Sequence, residues 1–266
     1  MIEKHWGLTR RAFANTPDPD FVYGTSAFAE GMARLLYDAT QLRGGLSLIT
    51  GEIGCGKTML AQAMAARLAG SPTDVVLLPY PKMTPAQLLT RLAAGLELED
   101  PPRGKLALVE AVGRRLEELH RNARRPVLVV DEAQLASPSL LEEIRLLTNF
   151  EDRQDKHLHV VLLGQPELRE RVRKRPQIDQ RVSLRFHVEP MESDDVRGYV
   201  DHRLRVAGGD AARIFSPEAV DTLAQRSGGV PRRLNTLATQ SLFVGAMRAF
   251  HQIDAELVRD VADDQE

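Results

Sequence analysis

The sequence predicts an α/β fold: a doubly wound parallel sheet of five strands, followed by a C-terminal domain that contains only helices. Two observations predict this fold. Between residues 25 and 189, short apolar runs alternate with longer segments of helical periodicity, as in a parallel sheet with helices on both faces. From residue 190 onward only the helical periodicity continues. We therefore expect an extended segment at residues 1–24 that packs on an αβα domain at 25–189, and a helical domain at 190–266.

The five expected strands are short apolar runs, at Leu46–Thr50, Asp74–Pro79, Pro126–Asp131, His159–Gly164 and Leu184–Val188. The run Val127–Val130 is the most apolar, which places its strand in the centre of the sheet, covered on both faces. Thr84-Pro85 and Ser137-Pro138 are typical of helix starts, with an N-cap followed by proline at the first helical position. In the helical domain we expect helices at Ser193–Val206, Ser216–Gln225 and Pro231–Phe250, and a short one near Asp254–Val261.

Composition excludes several classes of protein. Of the 266 residues, 43% are apolar and 27% are charged, as in an ordinary globular protein, and the formal net charge of −2 does not indicate nucleic-acid binding by bulk charge. Cys55 is the only cysteine, so an internal disulfide is excluded and a reducing compartment is indicated. No apolar run approaches the roughly 20 residues that span a bilayer. We expect a cytoplasmic protein without a transmembrane segment.

The stretch Gly51–Thr58 reads GEIGCGKT and fits the phosphate-binding pattern G-x-x-x-x-G-K-[ST] at every fixed position. It follows an apolar strand and precedes a helical pattern, which is the context the motif requires. Its glycines let the backbone approach phosphates, and the N-terminus of the following helix favours negative charge. Lys57 would reach the β- and γ-phosphates of ATP, and Thr58 would bind Mg²⁺. The expected nucleotide-binding residues are Gly51, Glu52, Ile53, Gly54, Cys55, Gly56, Lys57, Thr58 and Met59.

An acidic pair follows the most apolar strand. Asp131 would hold Mg²⁺, and Glu132 would polarise the attacking water, which favours ATP hydrolysis over phosphate transfer to another acceptor. Gln165 follows the fourth strand. If that strand lies beside the third, the Gln165 amide would sense the γ-phosphate; the alternative is a polar residue that only closes a strand.

Arginines form the third part of the expected site. The run Arg169–Arg175 is a solvated surface helix by default. Arg181 lies just before the fifth strand, where an arginine can reach the γ-phosphate of a neighbouring subunit; it is our first choice for an arginine finger, and Arg185 is the second. Arg232 follows a glycine turn at the start of a helix, so it would contact the phosphates and couple the helical domain to the nucleotide.

The aromatic residues of the N-terminal segment leave two alternatives open. Trp6, Phe13, Phe21 and Tyr23 show no clear periodicity. They would either form the wall of an adenine pocket, since a flat base stacks well on such groups, or cover the edges of an apolar core.

Together these residues resemble the AAA+ ATPases, and among them the ExeA (general secretion pathway protein A) type. The matching stretches cover nearly the whole chain: His5–Leu8, Phe13, Thr16–Pro19, Thr50–Thr58, Leu128–Gln134, Leu141–Glu151, His159–Arg171, Gln180–Arg185 and Ser227–Asn235. The resemblance implies a helical lid, an ATPase core of Lys57, Thr58, Asp131 and Glu132, and a homo-oligomeric ring or filament. It also implies a partner in the secretion apparatus or inner membrane. Secretion-type members continue into a transmembrane helix and a periplasmic peptidoglycan-binding region, neither of which is in this sequence. We therefore expect a piece of a longer protein, a stand-alone relative, or a member with another role.

The same residues are also compatible with a different role. The chain also resembles the TnsC/TniB-like regulators of transposition, which coat DNA and recruit a transposase. In that case Arg169–Arg175 or Arg114–Arg125 would follow the DNA backbone, and binding would weaken steeply with salt. A small nucleotide kinase is disfavoured, because no acceptor-site motif is evident.

Overall fold

The computed structural model describes residues 2–16, 18–42, 45–153 and 155–265. Met1, Pro17 and Glu266, which fall within the expected segments 1–24 and 190–266, lie outside the described residues. The five strands are β1 Leu46–Gly51, β2 Val75–Leu78, β3 Val127–Val130, β4 His159–Gly164 and β5 Val182–Val188. They form one sheet in the order β2-β3-β4-β1-β5, and every neighbouring pair is parallel. The predicted doubly wound parallel sheet is confirmed.

The order of the strands corrects one expectation. β4, not β3, is the central strand. All residues of β1, β3 and β4 are buried, because each has a strand on both sides and helices above and below. Apolarity therefore identified β3 as an interior strand but could not distinguish its place from that of its neighbours. The adjacency of β3 and β4, on which the expected role of Gln165 depends, is present.

The helices follow the predicted pattern closely, in chain order α1 Ile2–Trp6, α2 Ser26–Tyr37, α3 Lys57–Leu68, α4 Pro85–Gly95, α5 Lys105–Arg121, α6 Pro138–Leu147, α7 Pro166–Arg173, α8 Pro176–Asp179, α9 Ser193–Val206, α10 Ala211–Ile214, α11 Pro217–Ser227, α12 Pro231–Met247 and α13 Ala255–Asp263. Both predicted N-caps are present. Thr84 forms a capping box with Gln87, and the Ser137 hydroxyl accepts a hydrogen bond from the Leu140 amide at 3.1 Å.

Two compact units divide the described residues. The first unit consists of the described residues within Phe28–Glu52 and Leu60–Val188. It contains the sheet, and its core is rich in leucine and valine. The second unit consists of the described residues within Met1–Ala27, Ile53–Met59 and Glu189–Glu266. Its core is formed by the C-terminal helices together with the N-terminal segment.

The sequence led us to expect an N-terminal segment that is extended and packs on the αβα domain. Instead, the segment is not extended throughout, and its core residues pack with the C-terminal helices. Ile2–Trp6 form helix α1, and Trp6, Phe13 and Phe21 are buried in the core of the C-terminal helices. The Trp6 Nε1–H group donates to the Leu242 carbonyl at 2.9 Å, and Arg203 donates to the carbonyls of Ala12 and Ala14. Burial of these aromatic side chains removes a large apolar area from water and stabilises the fold. Their positions favour the second alternative, packing in an apolar core, over the wall of an adenine pocket.

Among the helices that the structure describes, none is both long enough and apolar enough to cross a membrane.

Candidate nucleotide site

The phosphate loop occupies the turn between β1 and α3. β1 ends at Gly51 and α3 begins at Lys57, so the loop leads directly into a helix N-terminus, where the first amide groups have no partner within the helix. Gly54 and Gly56 have φ values of 87° and 96°, which side chains with a Cβ rarely adopt. Lys57 and Cys55 are buried, whereas Thr58 is exposed. This backbone is suited to bind an anion.

Arg232 lies against the loop within the same compact unit. Its backbone N–H group donates to the Gly54 carbonyl at 3.3 Å, and a Cβ on Gly54 would lie 2.6 Å from the Arg232 Cβ. Arg232 is the second residue of α12 and its side chain is exposed. The structure thus places the backbone of Arg232 at the phosphate loop, and the expected contact of its side chain with the phosphates stays a prediction.

The acidic pair stands at the carboxyl end of β3. Asp131 is buried, and its carboxylate accepts a hydrogen bond from the Glu132 amide at 2.8 Å. Glu132 has left-handed backbone angles, φ 51° and ψ 35°, which are unusual for a residue with a Cβ and often mark functional sites. Because the sheet is parallel, the carboxyl ends of β3, β4 and β1 all lie along the same side of the sheet, which we call its carboxyl edge. Asp131, Gln165 and Gly51 occupy that edge.

Gln134 is a residue of this site that the sequence analysis missed. Its side-chain Nε2 donates to the Glu132 carboxylate at 2.6 Å, and its Oε1 accepts from the Gln165 backbone amide at 3.2 Å. One glutamine therefore joins the acidic pair to the residue that follows β4. Gly164 leaves room for it, since a Cβ there would lie 2.7 Å from the Gln134 Oε1. Gln134 lies in the short helical turn Ala133–Leu135 that follows β3, and its position two residues after Glu132 is the sequence signal that could have found it.

Arg171 fixes the same loop from α7. Its guanidinium donates to the backbone carbonyls of Gln134 and Ala136. Burial lowers the pKa of the Arg171 guanidinium, and repulsion by Arg175 lowers it further, yet an arginine stays charged at neutral pH. One member of the basic run Arg169–Arg175 is thus a structural part of the site and not a solvated surface charge.

Gln165 is the N-cap of α7 and is half-buried. Its backbone amide is bonded to Gln134, as described above, so its backbone is linked to the acidic pair. The expected sensing role of its side chain stays a prediction.

The two finger candidates lie elsewhere in the sheet unit. Arg181 precedes β5, whose first residue Val182 pairs with Leu46 at the start of β1. It is half-buried, and its guanidinium donates a hydrogen bond to the Thr148 hydroxyl at 3.3 Å. Arg185 pairs with Asp179 at 3.0 Å and lies in the middle of β5. Since β1 is six residues long, Arg181 is separated from Gly51 by roughly 17 Å of strand, at the opposite edge of the sheet.

Comparisons with known proteins support the same interpretation. Residues 41–172 match the family model described as "AAA domain". General secretion pathway protein A of Aeromonas hydrophila is 36% identical over 256 residues, which is 95% of this chain and 46% of that protein. An uncharacterized HTH-type transcriptional regulator of Methanocaldococcus jannaschii is 24% identical over 57% of this chain and 39% of its own length. The chain spans less than half the length of these relatives.

Solved structures agree on the fold. The ORC2 protein of Aeropyrum pernix in ADPNP-ADP complexes superposes with a TM-score of 0.73 at 16% identity, over 97% of this chain and 72% of that one. The structure of Drosophila ORC bound to DNA superposes with a TM-score of 0.73 at 17% identity, over 98% of this chain and 66% of that one. At such identities these likenesses concern architecture alone. With the motifs, these findings show that residues 41–172 form an AAA domain and that the chain is similar to general secretion pathway protein A over nearly its whole length.

Proposed function

We propose that this protein hydrolyses ATP with Mg²⁺ between subunits of a homo-oligomer and couples hydrolysis to assembly or remodelling in a secretion pathway. One observation carries the proposal for hydrolysis. Glu132 stands at the carboxyl end of β3 with its carboxylate held by Gln134, beside the buried Asp131. A positioned carboxylate next to a metal-binding aspartate is what a hydrolase requires and a simple nucleotide-binding protein does not.

The residues present fit Mg²⁺ and ATP. Thr58 and Asp131 offer hydroxyl and carboxylate oxygens, the hard donors that Mg²⁺ prefers. The loop glycines and the N-terminus of α3 offer amide groups suited to phosphates. Bound Mg²⁺ would neutralise the charge that develops on the phosphates. In this proposal Lys57 binds the β- and γ-phosphates, Glu132 orients the attacking water and takes its proton, and the Gln165 side chain senses the γ-phosphate.

The position of Arg181 supports a site shared between subunits. It lies at the amino edge of the sheet, whereas Gly51 and Asp131 lie at the carboxyl edge. An arginine about 17 Å from the strand end that carries the phosphate loop is too far to complete its own site. It is suited instead to reach the nucleotide of the next subunit, so we assign it as the finger of a ring or filament.

The secretion role rests on the relative in Aeromonas hydrophila, whose name places that protein in the general secretion pathway. We propose a partner in the secretion apparatus or inner membrane on that basis, and the cytoplasmic location expected from the single cysteine stays a prediction. None of the relatives described above favours the transposition alternative. The Arg171 guanidinium also donates to two backbone carbonyls, so one member of the expected DNA-tracking run is engaged within the protein.

The first experiment tests hydrolysis. Lys57→Ala should abolish binding of a fluorescent ATP analogue, because the buried lysine is the loop's only side-chain cation. Glu132→Gln should keep that binding and lower kcat by about 10²–10⁴-fold, the usual contribution of a general base. Unchanged turnover in Glu132→Gln would refute the assignment of Glu132.

The second experiment tests the shared site. Arg181→Ala should bind ATP and hydrolyse it about 10³–10⁵-fold more slowly, as expected for loss of an arginine finger. Mixing Arg181→Ala with Glu132→Gln subunits should restore part of the activity, because some interfaces then combine an intact finger with an intact glutamate. Absence of recovery at every ratio would contradict a shared site. DNA retention with a slowly hydrolysed analogue at two salt concentrations checks the transposition alternative, which predicts tight and salt-sensitive binding.

A further inference from the structure

Two histidines and an aspartate converge at a place that the nucleotide chemistry does not use. His120 lies in the last turn of α5, and Asp152 and His157 lie in the connection between α6 and β4. The ligand atoms of the three side chains lie within 4.8 Å of one another. All three residues belong to the sheet unit, and none of them is in the phosphate loop, the acidic pair or the finger.

The distances among these atoms suit a metal ion. The Asp152 Oδ2 atom is 3.1 Å from the His120 Nε2 and 3.6 Å from the His157 Nε2. Bonds of about 2.0–2.1 Å in tetrahedral geometry place two ligand atoms roughly 3.3 Å apart, between these two values. The two imidazole rings are stacked, with centroids 4.3 Å apart and planes inclined at 23°, and the Nε2 atom of each ring faces the Asp152 Oδ2 atom.

The backbone holds the aspartate in place for this contact. The Asp152 Oδ1 atom accepts from the Asp155 amide at 2.8 Å, and the Asp152 amide donates to the Asp155 carbonyl at 3.0 Å. The His157 amide donates to the Phe150 carbonyl at 2.9 Å and closes the connection. One aspartate oxygen is therefore bound within the turn, and the other faces the histidines.

His157 supplies the independent observation. Its side chain is 8% exposed, and its Nε2 atom has no hydrogen-bond partner among the residues that the structure describes. Leaving such a nitrogen buried and unbonded costs free energy, whereas coordination to a cation satisfies it. His120 adds to the preference for a cation, because the C-terminus of the 17-residue helix α5 carries partial negative charge.

We propose that His120, Asp152 and His157 bind a first-row divalent transition metal such as Zn²⁺, with water completing the coordination. Imidazole and carboxylate ligands suit Zn²⁺, Co²⁺ or Ni²⁺, whereas Mg²⁺ prefers oxygen ligands only. The ion joins the C-terminus of α5 to the connection before β4, so its role is structural. Both histidines bind in the neutral form, with the proton on Nδ1.

The test uses the whole chain, freed of metal with a chelator and titrated with ZnCl₂ in a calorimeter. One equivalent should bind, MgCl₂ at the same concentration should give no competing heat, and Co²⁺ should give visible absorption typical of nitrogen and oxygen ligands. His120→Gln, His157→Gln and Asp152→Asn should each weaken Zn²⁺ binding by at least about tenfold, since loss of even an outer partner costs that much. The exposed His251 offers the matched control, and His251→Gln should bind like the wild type.

Two results would overturn the proposal: no stoichiometric Zn²⁺ binding by the wild type, or equal affinity in the control and in the three site variants. Melting curves without metal show whether a variant is folded. His120 and Asp152 are partly exposed, with side-chain exposures of 23% and 46%, so their variants test the site even if His157→Gln is unstable. Zn²⁺ should raise the melting temperature of the wild type and the control only, because a ligand that binds the folded state stabilises it.

Discussion

Gln134 offers a sharp test of how the acidic pair is organised. In Gln134→Ala the Glu132 carboxylate loses its 2.6 Å hydrogen bond, and the Gln165 amide loses its partner at 3.2 Å. Gln134 lies in the turn after β3 and is not a residue of the phosphate loop. We therefore expect hydrolysis to slow while ATP binding stays the same, because Gln134 acts by positioning Glu132.

The magnitude follows from the strength of the bond. A hydrogen bond to a charged group contributes about 1.5–3 kcal/mol, and 1.36 kcal/mol corresponds to a tenfold change in rate. Glu132 is only half-buried, so solvent replaces part of the lost interaction and the lower end applies. We expect kcat to fall about tenfold, well short of the loss in Glu132→Gln.

The assay is phosphate release under saturating ATP, together with the Kd of a fluorescent ATP analogue. Gln225 lies exposed on α11, and Gln225→Ala is the matched control that should change neither value. A second route to the same defect is Gly164→Ala, whose Cβ would lie 2.7 Å from the Gln134 Oε1 and 2.7 Å from the Leu168 Cδ2. Because both changes act on one contact, their effects on kcat should be far from additive. Wild-type kcat in Gln134→Ala, or a Kd that rises as much as kcat falls, would refute the positioning role.

Two further predictions concern the other compact unit. Trp6→Ala should lower the free energy of unfolding by about 3–5 kcal/mol, because it leaves a cavity and removes the hydrogen bond to the Leu242 carbonyl. Circular dichroism in urea measures this loss. A loss below about 1 kcal/mol would show that the segment is dispensable. Gly54→Ala should raise the Kd for the ATP analogue, since its φ of 87° and the 2.6 Å approach to the Arg232 Cβ both exclude a side chain. Gly70→Ala, at φ 79° with open space around its Cβ position, should leave that Kd unchanged.

Local signals in the sequence predicted most of the fold because their physics is local. Thr84-Pro85 and Ser137-Pro138 mark helix starts through contacts within four residues, and both are N-caps in the structure. The apolar runs gave all five strands, since interior strands of a parallel sheet are buried on both faces. The order of the strands was less accessible. It depends on which strand edges pair, and β3 and β4 are both buried along their whole length.

The missed features share one cause: each depends on partners far along the chain. Gln134 meets the Gln165 amide across 31 residues, and Arg171 meets the Gln134 carbonyl across 37. Arg171 looked like one charge in a basic run, and only the adjacency of β3 and β4 places it against backbone carbonyls. Trp6 meets Leu242 across 236 residues, so no window of sequence could show that it belongs to the helical core.

The bonds that hold the two arginine candidates distinguish between them more clearly than the sequence does. A finger must leave its resting contacts to reach a neighbouring subunit, so weak resting contacts are an advantage. Arg185 donates to both the carbonyl and the carboxylate of Asp179, at 2.9 and 3.0 Å, which a move would break. Arg181 has a 3.3 Å bond to a neutral hydroxyl, and it lies near the half-buried Lys156, which also pairs with Glu151 and whose pKa is lowered by partial burial and by repulsion from Arg181 itself. That repulsion disfavours the resting position and favours a γ-phosphate offered from outside. Arg181, at the free amino edge of the sheet, is thus the arginine better suited to act in trans.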